Sequence, residues 1–125
     1  TNMLPSINPA SRPHAPAASL RLRFRGEELL VGENGKVTIT MGRAEENDVV
    51  IKGNLISRVH ARIDVARNRF VLVDESTNGT FIQQDAGEEL YVRRDSTVLT
   101  GSGVISMGRV AARGTSLAIE YRVEE

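Results

Sequence analysis

A chain of 125 residues is long enough to bury one self-supporting apolar core. It has no cysteine and only two histidines, His14 and His60, which leaves no disulfide framework, no thiolate nucleophile and too few ligands for a zinc centre; no metal or cofactor is expected. Sixteen basic residues balance sixteen acidic ones. A general nucleic-acid binder carries a basic excess, and no run reaches the ~18 apolar residues of a membrane span, so both partner classes are disfavoured.

All four prolines, Pro5, Pro9, Pro13 and Pro16, precede the first periodic apolar residue, Leu20. Interleaved with Ala, Ser and Asn, they predict a disordered linker over 1–19, ahead of one folded domain over 20–125. The start lacks the apolar core of a signal peptide, so a cytoplasmic, bacterial-type or intracellular setting is expected. From Leu20 the pattern changes. Leu20, Leu22 and Phe24 alternate with Arg21 and Arg23, the signature of a half-buried strand. "EELLV" then runs to Gly32, and "GENGK" predicts a hairpin turn. Its faint likeness to a phosphate-binding loop fails on spacing, and a strand rather than a helix follows Lys36. In that strand Val37, Ile39 and Met41 share one face.

"DVVI" comes next, and Val59, Ala61, Ile63 and Val65 then alternate with His60, Arg62 and Asp64. "RFVLVD" from Arg69 is a more continuous apolar run, as in a strand covered on both sides. "TFIQ", "ELYVR", "STVLT", "VISM" and "SLAIEYRV" complete the series, and no window carries a helical stripe of ten or more residues. The pattern therefore predicts an all-β fold, a two-sheet β-sandwich of about 11 strands, whose loops at one end gather function.

Three turn-like segments carry the chemistry: Gly42-Arg43, "SRVH" at 57–60 and "STNGT" at 76–80. Together they offer a guanidinium, several hydroxyls and an amide, groups suited to holding a phosphate rather than breaking a bond. Fourteen of the sixteen cations are Arg, so residue type alone says little and position must supply the argument. Arg43 directly follows a strand, where its fork can meet a phosphate carrying about −1.5 to −2 charge. Gly42 before it permits a tight backbone course or the close approach of a neighbour. Ser57 offers a hydroxyl from a loop entering the next strand. Asn78-Gly79 is a turn dipeptide that tolerates positive φ, so part of its signal is scaffold. Ser57, His60 and Asp74 suggest a hydrolase triad. Against it, residues three apart on a strand project to opposite faces, and no G-x-S-x-G elbow is present. Arg93-Arg94 and Arg109 either steer an acidic peptide or sit as solvated charge.

"GRAEENDVVI", "ISRVHARI" and "LVDESTNGTFI", in this order and spacing, resemble the forkhead-associated (FHA) domain over about 20–123. The resemblance implies a β-sandwich that recognises a phosphothreonine-containing protein or peptide and has no chemistry of its own. By residue, it implies phosphate contacts from Arg43, Ser57 and Thr77 and a peptide-backbone contact from Asn78. Arg58 falls where members often grip the peptide main chain, or is a solvated charge. Gly42, a buried His60 and Gly79 would build the loops, with Ser76 and Thr80 shaping the last of them. Leu55 and Ile56 stand where some members place a charged selector, implying a preference for an apolar residue about three positions after the phosphothreonine. "RRDSTVLTGSGVISMGR" is similar to FHA segments attached to bacterial class III nucleotide cyclases, which implies the regulatory portion of a larger signalling enzyme. Two other readings stand beside this one: a phospho-independent scaffold or oligomerisation domain, and a hydrolase. Thr1, Ser6 and Ser11 in the linker also allow self-association through a phosphorylated tail.

Overall fold

Alternation along the sequence becomes pleat in the computed structural model, which describes residues 18–32 and 36–124. The expected linker falls largely on residues 1–17, outside the described residues. The first strand, β1 (Ser19–Phe24), turns through Arg25 and Gly26, at φ 54° and 80°, into β2 (Glu27–Gly32). Successive positive φ values are what a tight hairpin needs to match the strand twist, and Gly26 adopts one without steric cost. Then follow β3 (Thr38–Gly42), β4 (Val49–Val50), β5 (Ala61–Ala66) and β6 (Arg69–Asp74). The series ends with β7 (Thr80–Gln84), β8 (Glu89–Val92), β9 (Ser96–Leu99), β10 (Ser102–Met107) and β11 (Ala118–Glu124).

These eleven strands form two sheets, as expected of the sandwich: β2-β1-β11-β10-β7-β8 and β4-β3-β5-β6-β9. Every named pairing is antiparallel except β3 with β4. Inward residues alternate along each strand: Leu20 and Leu22, Ile39 and Met41, Phe70 and Leu72, and Ile82 and Ile105 all meet in one fully buried core. Burying each such side chain contributes about 1.5–3 kcal/mol, so the core carries the fold. A smaller cluster of Val104, Ala111 and Ala118 forms where the segment after β10 folds over the outer side of its sheet. Among the described residues no helix is long and apolar enough to cross a membrane.

Three local expectations differ. Val37 and Val59 share the parity of buried neighbours, yet are 67% and 44% exposed. Each precedes the paired register, which begins at Thr38↔Asp64 for one and Met41↔Ala61 for the other, and lies at the open end of the ladder, where Val37 O still accepts Val65 N–H at 3.0 Å but the side chain is uncovered. In β6 the core side is covered at Phe70 and Leu72, while Val71 and Val73 are only half-buried, so this strand is not enclosed on both faces. The "GENG" segment is not a hairpin between its flanking strands, because β2 and β3 lie in different sheets; residues 33–35 themselves lie outside the described residues.

Register decides where the loops go. Met41 faces Ala61, Ala61 faces Asp74, Val73 faces Ser96, Thr80 faces both Val92 and Met107, and Ser106 faces Ala118. The loops at 43–48, 51–60, 75–79, 93–95 and 108–117 therefore emerge at one end of the sandwich. All three segments singled out in the sequence lie on that end.

Candidate functional site

Gly42 closes β3 at a point with no room for a side chain. A Cβ there would meet the carbonyl of Arg58 and come within 2.8 Å of His60 N. The close approach lets two loops zip together: Arg43 N–H donates to Ser57 O at 2.9 Å and Ala44 N–H to Arg58 O at 3.0 Å. Arg43 then curls its side chain along the second loop, with Nε donating to Ile56 O at 3.0 Å. One of five N–H groups is thus used for orientation, and the exposed fork pairs with no carboxylate among the described residues. Lys52 Nζ holds Arg43 O at 2.9 Å while pairing with Glu45. The buried Asn47 amide donates to Ala44 O at 2.8 Å and Arg58 O at 2.7 Å, pinning both loops.

His60 is fully buried beneath Ser57. Ser57 N–H donates to Nδ1 at 3.0 Å, and a backbone N–H can only donate, so Nδ1 is unprotonated. The ring proton is therefore on Nε2, which donates to Gly79 O at 2.7 Å. Burial pushes the imidazole below its ordinary pKa, against the opposing pull of Gly79 O and the Asp74 charge, so the ring is neutral near pH 7. One histidine thereby ties the second loop to the third.

The third loop is built on Asp74, at the end of β6. Its carboxylate accepts from Ser76 N–H and Oγ, Thr80 Oγ1 and Arg94 N–H. Burial raises its pKa, but these hydrogen bonds, Thr80 first, outweigh that effect and hold it below the usual carboxylate value. Ser76 Oγ in turn accepts Gly79 N–H at 2.7 Å. Gly79 sits at φ 90° with the Tyr91 ring against its Cα, and its carbonyl also accepts Gly108 N–H at 2.9 Å. Tyr91 Oη donates to Asn78 O at 3.0 Å, Arg93 Nε to Thr77 O at 2.7 Å and Arg94 Nε to Ser76 O at 3.1 Å. Three successive carbonyls of the loop are held from one side.

On this frame Thr77 N–H donates to Ser57 Oγ at 3.2 Å, and Asn78 Nδ2 donates to Leu55 O at 3.1 Å. Ser57 Oγ acts here as acceptor, so its own proton remains available to an incoming oxygen. Arg43, Ser57, Thr77 and Asn78 thus share one rim, with Gly42, His60 and Gly79 beneath it. Arg58 is on the same loop but points away to Glu46, 4.0 Å from it. Arg109 lies to one side, with Leu55, in a cleft of about 310 Å³.

A Ser-His-Asp triad is not what these residues form. Ser57 meets His60 through its backbone N–H, its hydroxyl is engaged by Thr77, and His60 Nε2 is 3.7 Å from Asp74 while bonded to Gly79 O. Strand parity was the wrong ground for excluding it, because Ser57 precedes β5 and lies in a loop. Nothing in the sequence singles out Asn47, Tyr91 or Lys52, and for Arg93 and Arg94 it offers only peptide steering or solvated charge. All five act through backbone carbonyls, and only their neighbourhood to the loop motifs could have hinted at it.

The family model described as FHA domain matches residues 39–108 of the chain. No curated protein matches it. Among solved structures, the FHA-1 domain of Mycobacterium tuberculosis Rv1747 is similar at 22% identity and TM-score 0.63, covering 88% of this chain and all (100%) of that one. An FHA domain of an Arabidopsis thaliana hypothetical protein is 27% identical at TM-score 0.59, with 86% of each chain covered. The N-terminal FHA domain of Saccharomyces cerevisiae Rad53p, solved in complex with a phosphothreonine peptide, is 17% identical at TM-score 0.57, covering 85% of this chain and 92% of that one.

Proposed function

Because the chain belongs to the FHA domain family, we propose that it is a phosphothreonine-peptide recognition module for protein-protein signalling, with no chemistry of its own. Arg43, Ser57 and Thr77 hold the phosphate. Asn78 fixes the peptide backbone, and Arg58, freed from its weak contact with Glu46, joins it. Gly42, His60 and Gly79 hold the three loops in register. The observation that carries this reading is the rim itself: a guanidinium with no carboxylate partner among the described residues, a hydroxyl with a free proton and a second hydroxyl stand on Arg43, Ser57 and Thr77. These three are joined at Ser57, by Arg43 N–H to Ser57 O and by Thr77 N–H to Ser57 Oγ. Such a set meets the three oxygens of a dianion with charge-assisted bonds, roughly twice as strong as neutral ones.

Selectivity downstream follows from the neighbouring cleft. Leu55 is 41% exposed on its wall whereas Ile56 is buried, so Leu55, with Leu117 and Met107, favours an apolar residue about three positions after the phosphothreonine. The partner class includes a second copy of the chain. β1 begins at the end of the sandwich opposite the rim, about 20 Å away along a six-residue strand, a span that a tail phosphorylated at Thr1, Ser6 or Ser11 is long enough to cover on its own or on a neighbouring domain. The setting we propose is the regulatory part of a bacterial class III nucleotide cyclase or similar cytoplasmic signalling protein.

Titration of the full chain with paired phosphorylated and unphosphorylated threonine peptides from an oriented library tests the reading. Binding that requires the phosphate, with apolar residues enriched three positions downstream, is the expected result. Equal affinity for both members of each pair would instead indicate a phospho-independent scaffold, and enrichment of Asp at that position would overturn the assigned selectivity.

A further inference from the structure

The turn between β8 and β9 carries two adjacent arginines with different tasks. Arg94 is locked in place: its N–H donates to Asp74, its Nε to Ser76 O, and its backbone sits at φ 53°. Arg93 is exposed and is oriented by one bond, Nε to Thr77 O at 2.7 Å. Four N–H groups of its guanidinium make no hydrogen bond to protein, and no carboxylate pairs with it, among the described residues.

Arg25, Arg67, Arg69, Arg109 and Arg122 also lack a carboxylate partner among the described residues, but Arg93 alone of these exposed cations is tied by its side chain to the rim, at Thr77 O. Other cations on this neutral chain are compensated. Arg21 pairs with Glu28 and Glu124, Arg62 with Asp64 and Glu75, and Arg113 with Asp85 and Glu120. Along the rim the hydrogen bonds run in the order Arg43, Ser57, Thr77, Arg93. A phosphate held by Arg43, Ser57 and Thr77 leaves the Arg93 fork as a second cation at the same end of the sandwich, tied to the Thr77 carbonyl. Its planar fork matches a carboxylate or a phosphate better than a point charge would.

We propose that Arg93 forms a second anion subsite, which reads a further negative group on the bound phosphopeptide, an acidic side chain or a second phosphate. The inference rests on the phosphopeptide reading of the rim. It gives the module a graded response: one phosphothreonine suffices to bind, and a neighbouring acid or phosphate strengthens the complex.

The test uses the full chain, a singly phosphorylated peptide, and variants of it bearing Glu or a second phosphothreonine at each nearby position. Wild type is expected to bind at least one doubly charged peptide about fivefold more tightly than the parent, the upper range for an exposed ion pair. Arg93→Gln should erase that gain, so that parent and doubly charged peptides bind alike whatever the loss of its bond to Thr77 O costs both, and Arg93→Lys should retain part of the gain. A gain with Glu and phosphate alike identifies an acidic-group subsite; a gain with phosphate alone narrows it to a dianion. The proposal is overturned if no second charge helps wild type, or if Arg93→Gln weakens parent and doubly charged peptides equally, which would make Arg93 a loop brace only. Failure of wild type to bind any phosphorylated peptide removes the parent reading, and this one with it.

Discussion

Replacing His60 by Ala removes the fully buried side chain that joins the second and third loops, and the structure allows its cost to be worked out. Ser57 N–H loses its only acceptor among the described residues, while Gly79 O keeps Gly108 N–H. Orphaning this half-buried donor costs about 1 kcal/mol, the low end for a lost hydrogen-bond partner. The imidazole is fully buried, and a large-to-small change in such a place costs about 2–5 kcal/mol. The terms overlap, so a loss of about 3–5 kcal/mol is expected, a large part of the ~5–15 kcal/mol that a domain has. In urea unfolding this moves the midpoint by about 2 M at an ordinary m value. A second signature is pH. The folded His60 has a depressed pKa, so its contribution is fully present above the unfolded value of about 6.5 and is lost as pH falls below it. Protonation would also turn Nδ1 into a donor facing the Ser57 N–H. Wild type should therefore lose stability between pH 7 and 5, by at most about 1.4 kcal/mol per unit from this group, and His60→Ala should lack that component. A midpoint shift below about 0.5 M, or identical pH slopes in the two proteins, would refute the brace.

Other expectations follow from the same frame. Asn47→Ala leaves Ala44 O and Arg58 O without their amide donor; about 1–3 kcal/mol of stability should be lost in urea unfolding, with weaker phosphopeptide binding as the first two loops part. Gly42→Ala drives a Cβ into the backbone of Arg58 and His60, which cannot swing aside. A loss of about 1–3 kcal/mol is expected, with the largest amide shifts at 57–60. Gly79→Ala meets two obstacles, φ of 90° and the Tyr91 ring, and should cost at least as much in the same assay.

The strands were legible because alternation is a direct record of the pleat: Leu20 and Leu22 or Ile39 and Met41 are buried as their spacing required. Parity failed at the open end of the ladder, as at Val37 and Val59, since alternation says which face a residue would take and not where the ladder starts. That Arg43, Ser57, Thr77 and Asn78 gather at one end of the sandwich was legible because each stands in a distinctive motif in a loop between strands. The supports of the rim were hidden for a physical reason. Asn47, Tyr91, Arg93 and Arg94 grip carbonyls between 3 and 18 residues distant, and a carbonyl leaves no trace in residue identity. The same reason made Ser57 and His60 look like catalytic partners, when the contact between them is a backbone N–H.

The central claim is that the rim reads a phosphate through Arg43. An amide NMR titration of wild type and Arg43→Ala with a phosphothreonine peptide and its unphosphorylated twin tests it most directly. Shifts centred on Arg43, Ser57 and Thr77 are expected for the phosphorylated peptide alone. Arg43→Ala should abolish them and leave the amide dispersion of the core strands intact. Undiminished affinity in Arg43→Ala, or equal shifts with both peptides, would contradict it.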